Sequence, residues 1–372
     1  MRKKLIQIGF ALLSVSIIIT IVATISRRDE PSALTSISLL NDDDLSSLES
    51  IRQIHDFGMF KMTYFGDYGF DEFLLVGAES DGDIGEFVEE RLQSNVPIEF
   101  NVTGGGCTVF VVRSPEGDVL FGRNFDFFAY SPSVQLFTTP VNGYASVSTV
   151  AIQFLGFDRN NLPDGASDES IPMLFAPFIP FDGMNENGVA IGMAAVPEAE
   201  PPFYEDRVMI GSNNTMRLVL DQAANVDEAV ELLHQYNIFF SENIYLQFII
   251  ADASGRSVII NYLDGEIKVT ETAESFQIAS NFIPYNNLNI GFSSGGIGNE
   301  FERYDRVRQV IEANGGVLNE MQVVDLLAEV GVVTSRGRSM LQWSVVFNLT
   351  TLEGMIFADR DTENLIHFSL TP

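Results

Sequence analysis

The feature that most constrains this chain is Gly104-Gly105-Gly106-Cys107, set directly before a strand-like run, Thr108-Val109-Phe110. Cys107 is the one cysteine in the sequence, so it has no internal disulfide partner and serves either packing or reactivity. Free cysteine is among the most buried residue types, which makes a core position the default reading. Three glycines ahead of a strand add nothing to packing, however. They let the backbone adopt the strained turn in which a side chain attacks the carbonyl preceding it. The expectation is therefore that Cys107 cuts the Gly106–Cys107 bond and becomes an N-terminal residue. Its freed α-amine, with an ordinary pKa of about 7.7–8.0, then serves as base for its own thiol. The alternative, a Cys–His dyad, has little support, because His55, His234 and His367 lie in no recognisable motif with Cys107.

Beyond Cys107 the pattern is β. Cys107–Arg113 and Val119–Arg123 read as a hairpin closed by Ser114-Pro115-Glu116-Gly117-Asp118. Further strands are expected at Tyr144–Phe154, Val189–Val196, Leu246–Ala251, Ser257–Leu263, Ile267–Thr270, Leu341–Asn348, Gly354–Ala358 and Leu365–Leu370. Helix pairs are expected at Thr215–Ala224 with Val226–Tyr236, the second opened by Asn225 as N-cap, and at Glu300–Ala313 with Asn319–Glu329. Blocks of strands and helices in this order argue for packed sheets with helix pairs outside them, an α+β chain, and against a doubly wound sheet. No internal repeat, P-loop, dinucleotide glycine fingerprint or metal-ligand cluster is found, so no cofactor is expected.

Ahead of Cys107 the composition differs. Residues 36–106 hold 15 acidic and 3 basic residues, and Ser50–Phe60 and Ile84–Leu92 have helical spacing. Residues 29–106 are read as an acidic, mostly helical prosegment covering a catalytic domain at 107–372; an ordinary N-terminal helical layer is the alternative. Residues 1–28 combine a basic start, an uncharged and mostly apolar run from Leu5 to Ile25, and Arg27-Arg28. Twenty-one residues at 1.5 Å each can span a bilayer, and no small-x-small cleavage site ends the run. A membrane anchor is favoured over a signal peptide, with the body exported in either case. The formal net charge of −30 with only four lysines excludes a nucleic-acid backbone as partner. Sequons stand at Asn101, Asn213 and Asn348.

Arg123 and Asp126 follow Cys107 by 16 and 19 residues. A short hairpin returns both beside the thiol, where Arg123 favours the thiolate and Asp126 holds the α-ammonium; a plain Arg123–Asp126 salt bridge is the structural alternative. Cys107-Thr108, Gly122-Arg123-Asn124-Phe125-Asp126 and Asp182-Gly183-Met184-Asn185-Glu186-Asn187-Gly188 together resemble the linear-amide C–N hydrolases of the N-terminal-nucleophile superfamily. That group includes bile salt hydrolases, penicillin V acylases, acid ceramidase, N-acylethanolamine acid amidase and isopenicillin-N acyltransferase. Ala251-Asp252-Ala253-Ser254-Gly255, Ser280-Asn281-Phe282, Glu302-Arg303-Tyr304-Asp305-Arg306 and Trp343-Ser344-Val345-Val346-Phe347-Asn348 extend the resemblance over 107–372.

The resemblance implies a four-layer αββα sandwich and assigns roles. Cys107 is the nucleophile, Arg123 and Asp126 support it, Asn281 donates to an oxyanion, and Arg303 completes the polar network. It departs at Ala195, where bile salt hydrolases and penicillin V acylases carry a second oxyanion-hole asparagine, so another donor substitutes or the substrate sits differently. Asn185 also reads as a turn residue, and the aromatic stretches Phe125–Phe128 and Phe175–Phe181 read as either core or acyl pocket. The implied activity is hydrolysis of a small linear N-acyl amide with an apolar acyl group. The alternatives are acyl transfer to an amine and a catalytically idle surface binding protein.

Overall fold

The computed structural model describes residues 37–93, 105–241, 244–285, 288–292 and 299–371. Among these residues no helix is long and apolar enough to cross a membrane; the apolar run at 5–25 and the sequon at Asn101 lie outside them.

Two antiparallel-rich sheets face each other. The smaller has six strands in the order β14-β3-β4-β17-β18-β19: Gln277–Ala279, Gly105–Arg113, Val119–Phe127, Leu341–Asn348, Glu353–Ala358 and Ile366–Ser369. The larger has nine, in the order β1-β2-β5-β6-β7-β8-β11-β12-β13: Arg52–His55, Met59–Tyr64, Ser133–Thr138, Ser146–Ala151, Asp182–Asn185, Ala190–Val196, Tyr245–Ala251, Ser257–Leu263 and Glu266–Glu271. The sheets meet closely where β8 crosses the smaller sheet. A Cβ on Gly192 would lie 3.1 Å from the Arg123 side chain and from the Phe121 ring, so glycine there permits the approach.

Two helix pairs cover the outer faces. On the larger sheet, α4 (Ser212–Gln222) packs against β7 and β8 and α5 (Val226–Leu233) against β11. On the smaller sheet, α6 (Glu300–Ala313) packs against β3 and α7 (Glu320–Val330) against β4 and β17. The result is the expected αββα sandwich. Asn225 caps α5 by accepting from the Glu228 N–H, and Asn319 caps α7 within a capping box closed by Gln322. Most strands match their expected positions within a few residues. Strands β5 and β7 went unread in the sequence; the four-residue, buried and glycine-containing β7 shows no alternation.

The segment before Cys107 departs from the helical expectation. Helices α1 (Asp42–Glu49), α2 (Phe70–Val76) and α3 (Asp81–Leu92) are present, but Ser50–Phe60, read as helix, contributes instead to the β1–β2 hairpin. Strand β2 then pairs in parallel with β5, from Met59↔Ser133 to Tyr64↔Thr138. Its alternating Phe60, Met62 and Tyr64 are buried, a period-two signal that begins where the stretch read as helix ends. Within the segment, β1 and β2 thus form the end of the larger sheet. Leu48, Phe70, Phe73, Ile84 and Val88 join the principal core. Tyr68 donates 2.6 Å to Asp221, which also pairs with Arg217, all three within the protein interior.

Candidate active site

The site forms where β3 and β4 run side by side. Gly106 lies opposite Asp126 and Cys107 opposite Phe125. Side chains alternate across a strand, so the three-residue offset sends Arg123 and Asp126 to opposite faces of β4. Arg123, Phe125 and Cys107 point into the space between the sheets; Asp126, Asn124 and Thr108 face the helices. The Arg123–Asp126 salt bridge considered from sequence is therefore not formed.

Arg123 is completely buried. Its Nη1 lies 2.6 Å from Asp182 Oδ2, and its Nη2 lies 3.7 Å from Cys107 Sγ and 3.4 Å from the Met193 carbonyl. Asp182 also accepts 2.9 Å from the indole N–H of Trp343, whose ring stacks on Phe125 at 4.3 Å. The order Trp343, Asp182, Arg123, Cys107 fixes a cation at the thiol. Burial raises the Cys107 thiol pKa above its usual value; Arg123, Arg303 and a hydrogen bond from the Ala195 backbone N–H pull it down, while Asp126 raises it. Burial thus favours the neutral form of the thiol.

The backbone of Cys107 is gripped from the other side. Its N–H donates 2.8 Å to Asn281 Oδ1, and its carbonyl accepts 2.6 Å from Arg303 Nη1 and 3.4 Å from Ser280 Oγ. Arg303 also donates 2.6 Å to Thr108 Oγ1 and 2.7 Å to Asn281 Oδ1. Two donors on Oδ1 fix the orientation of the Asn281 amide, so Nδ2 is the end that donates, 2.9 Å to the Ala195 carbonyl. Asp126 Oδ1 accepts 2.7 Å from the Val332 N–H; Oδ2 has no hydrogen-bond partner and lies beside Gly106, where a Cβ would meet it at 3.4 Å. Burial pushes the Asp126 carboxyl up to about 6, against smaller opposing effects of Arg303 and the Val332 N–H.

The other four candidate residues surround Cys107: Arg123 at its sulfur, Asn281 at its N–H, Arg303 at its carbonyl, and Asp126 beside the preceding Gly106. At Ala195, where the side chain cannot donate, the backbone is what faces the site: its carbonyl accepts from Asn281 Nδ2, and its N–H lowers the thiol's pKa. Asn185 is a turn residue. Its Oδ1 accepts from the Asn187 and Val189 N–H groups and its Nδ2 donates to the Leu220 and Ala223 carbonyls.

Cys107 forms the floor of a cavity of about 180 Å³ walled by Phe125, Phe127, Phe181, Met193, Leu246 and Phe292, with Arg123 as the charged group. The two aromatic stretches divide. Phe125, Phe127 and Phe181 line the cavity, whereas Phe175 and Phe178 are core and Phe128 faces solvent. Among the described residues no histidine lines it. Asp182, Trp343 and the Ala195 backbone had no role assigned from sequence. The string around Asp182 was singled out, but a long-range partner of Arg123 has no local signature. The sequons at Asn213 and Asn348 have their amides engaged, with the Pro180 carbonyl in one case and with Asp118 and Glu320 in the other.

Residues 107–282 match the family model described as linear amide C–N hydrolases, choloylglycine hydrolase family. A search among curated proteins found no match. Among solved structures, the conjugated bile acid hydrolase of Clostridium perfringens is similar at 16% identity and a TM-score of 0.51, over 71% of this chain and 92% of that one. Penicillin V acylase from Agrobacterium tumefaciens is similar at 19% identity and a TM-score of 0.52, over 71% of this chain and 86% of that one. At these identities the likeness to the solved structures is one of fold. The match to the linear amide C–N hydrolases starts at Cys107 itself and runs over residues 107–282.

Proposed function

We propose that the protein is an exported, self-activated cysteine amidase that hydrolyses a small linear N-acyl amide through an S-acyl-cysteine intermediate. The observation that carries this reading is the convergence on Cys107: a buried cation at its sulfur, two clamps on its backbone, and an apolar cavity ending at the thiol. In self-cleavage, Sγ adds to the Gly106 carbonyl and the bond to the Cys107 nitrogen breaks. The nitrogen takes up a proton to become the α-amine, and Gly106 is left as a thioester that water hydrolyses. Asp126, with an unfilled oxygen beside Gly106, is the group suited to relay the proton.

The new α-amine then takes the thiol proton, and Sγ attacks the substrate carbonyl. Asn281 Nδ2 and the Ala195 N–H hold the oxyanion, the ammonium protonates the departing amine, and water releases the acid. The apolar walls favour an apolar acyl group. Export is supported by the basic start and the uncharged run at 5–25, which as an anchor would leave the body outside the membrane.

Intact-mass measurement of the protein beside Cys107→Ala tests the reading. A fragment beginning at Cys107, absent from the variant and accompanied by hydrolysis of N-acyl amides, is expected. Hydrolysis that survives Cys107→Ala would refute it. A second reading, acyl transfer to an amine, is favoured by how little of Cys107 is exposed (5%) beneath an apolar cavity, since excluded water leaves the thioester to other nucleophiles. Product analysis with and without a competing amine separates the two.

A further inference from the structure

Asn281 stands on a segment that no sheet holds. Strand β14 ends at Ala279 and β15 (Ile283–Tyr285) begins two residues beyond Asn281, so Ser280, Asn281 and Phe282 lie between ladders. The carbonyls on either side of Asn281 both bond to one side chain. Gln247 Nε2 donates 2.6 Å to the Ser280 carbonyl and 3.0 Å to the Phe282 carbonyl. Gln247 is completely buried, and its Oε1 has no hydrogen-bond partner. Its polar work is therefore confined to these two bonds. Rotating the amide would set its oxygen against two carbonyl oxygens, so the orientation is fixed.

The position of Gln247 on β11 adds a second link. Across the ladder to β8, Gln247 pairs with Ala194 and Leu246 with Ala195. The strand that registers the Ala195 N–H is thus the strand whose side chain brackets Asn281. We propose that Gln247 is a positioning residue that sets the spacing of the two oxyanion donors, Asn281 Nδ2 and the Ala195 N–H. The proposal rests on the amidase reading for its kinetic consequence but on geometry for its substance. Gln247 touches neither the thiol nor the cavity; it acts only through Asn281. A displacement of about 1 Å in a group that stabilises charge in the transition state can cost about a hundredfold in rate.

The test uses Gln247→Met, close in length but unable to donate, in the full chain. On an N-acyl amide substrate, kcat is expected to fall about 10- to 100-fold, while KM and the rate of Cys107 alkylation by iodoacetamide stay within about twofold. In an Asn281→Ala background the same substitution should change kcat by less than about twofold, because the residue it positions is gone. A kcat near wild type, or an effect that multiplies with that of Asn281→Ala, would overturn the proposal.

A readout independent of activity covers a variant that folds poorly and an amidase reading that fails. The side-chain NH2 of Asn281, assigned in NMR spectra by its loss in Asn281→Asp, should exchange with solvent at least about tenfold faster in Gln247→Met. Unchanged exchange would refute the role of Gln247 whatever the enzyme does. Failure of the wild-type protein to hydrolyse any N-acyl amide would instead count against the amidase reading alone.

Discussion

Asp126 carries an energetic cost in the uncleaved chain that can be measured. Its carboxyl is buried, one oxygen has no partner, and its pKa rises from 3.8 to about 6. A carboxyl whose folded pKa is raised holds its proton more tightly in the native state. Stability is therefore full below the unfolded value and falls as pH climbs from about 4 through about 6, after which the loss is complete. A rise of roughly two units corresponds to about 3 kcal/mol at neutral pH. Asp126→Asn removes that charge while keeping an oxygen to accept from the Val332 N–H. Allowing about 1 kcal/mol for an amide N–H left without a partner, the substitution should stabilise the intact protein by about 2 kcal/mol at neutral pH. The advantage should disappear near pH 4.

The assay is urea unfolding of Asp126→Asn and its parent, both carrying Cys107→Ala to prevent cleavage, at pH about 4 and about 7.5. Asp221, which is also raised to about 6, is common to both and cancels in the comparison. A substitution that destabilises at neutral pH, or a difference independent of pH, would refute the argument. The opposite behaviour is expected of function. Asp126→Asn in the otherwise native chain should slow or abolish self-cleavage, so the residue costs stability and supplies chemistry.

Two further outcomes follow. Asp182→Asn should leave Arg123 as an unpaired buried cation, costing about 3–5 kcal/mol of stability, and Cys107 should react more slowly with iodoacetamide at neutral pH; an unchanged alkylation rate would exclude Asp182 from setting the thiol's environment. After cleavage at Cys107 the two pieces should stay together through the β2–β5 ladder, the shared core and the Tyr68–Asp221 bond, so native mass should exceed denatured mass. Release of a soluble fragment beginning at Cys107 would contradict the sheet assignment of residues 59–64.

What could be read from the sequence tracks the range of the physical signal. The β3–β4 hairpin was legible because alternation, turn residues and the spacing of Cys107, Arg123 and Asp126 are all local. The capped helices α5 and α7 were legible through Asn225 and Asn319 for the same reason. The partner of Arg123 was not legible: i,i+3 proximity suggested Asp126, but strand geometry turns the two apart and Asp182, 59 residues away, takes the place. The β1–β2 hairpin was missed because its acidic surroundings and short strands mimic helical spacing. The lack of a side-chain donor at Ala195 was legible, whereas the contacts its backbone makes at the site were not, since backbone groups leave no trace in residue identity.

The parallel pairing of β2 with β5 also bears on the order of events in the life of the chain. Parallel neighbours joined by a long crossover form slowly, because the connecting loop must be closed before the contacts it permits are made. While the chain is continuous, that closure is intramolecular. Once the bond at Cys107 is cut, reforming the same ladder becomes an encounter between two molecules, and recovery from unfolding depends on their concentration. A gene fragment starting at Cys107 would face this barrier from the outset, with the edge of β5 exposed for self-association. Under the proposed self-cleavage, the protein would fold once, as a single chain, and thereafter be protected by the slowness of its unfolding rather than by the ease of its return.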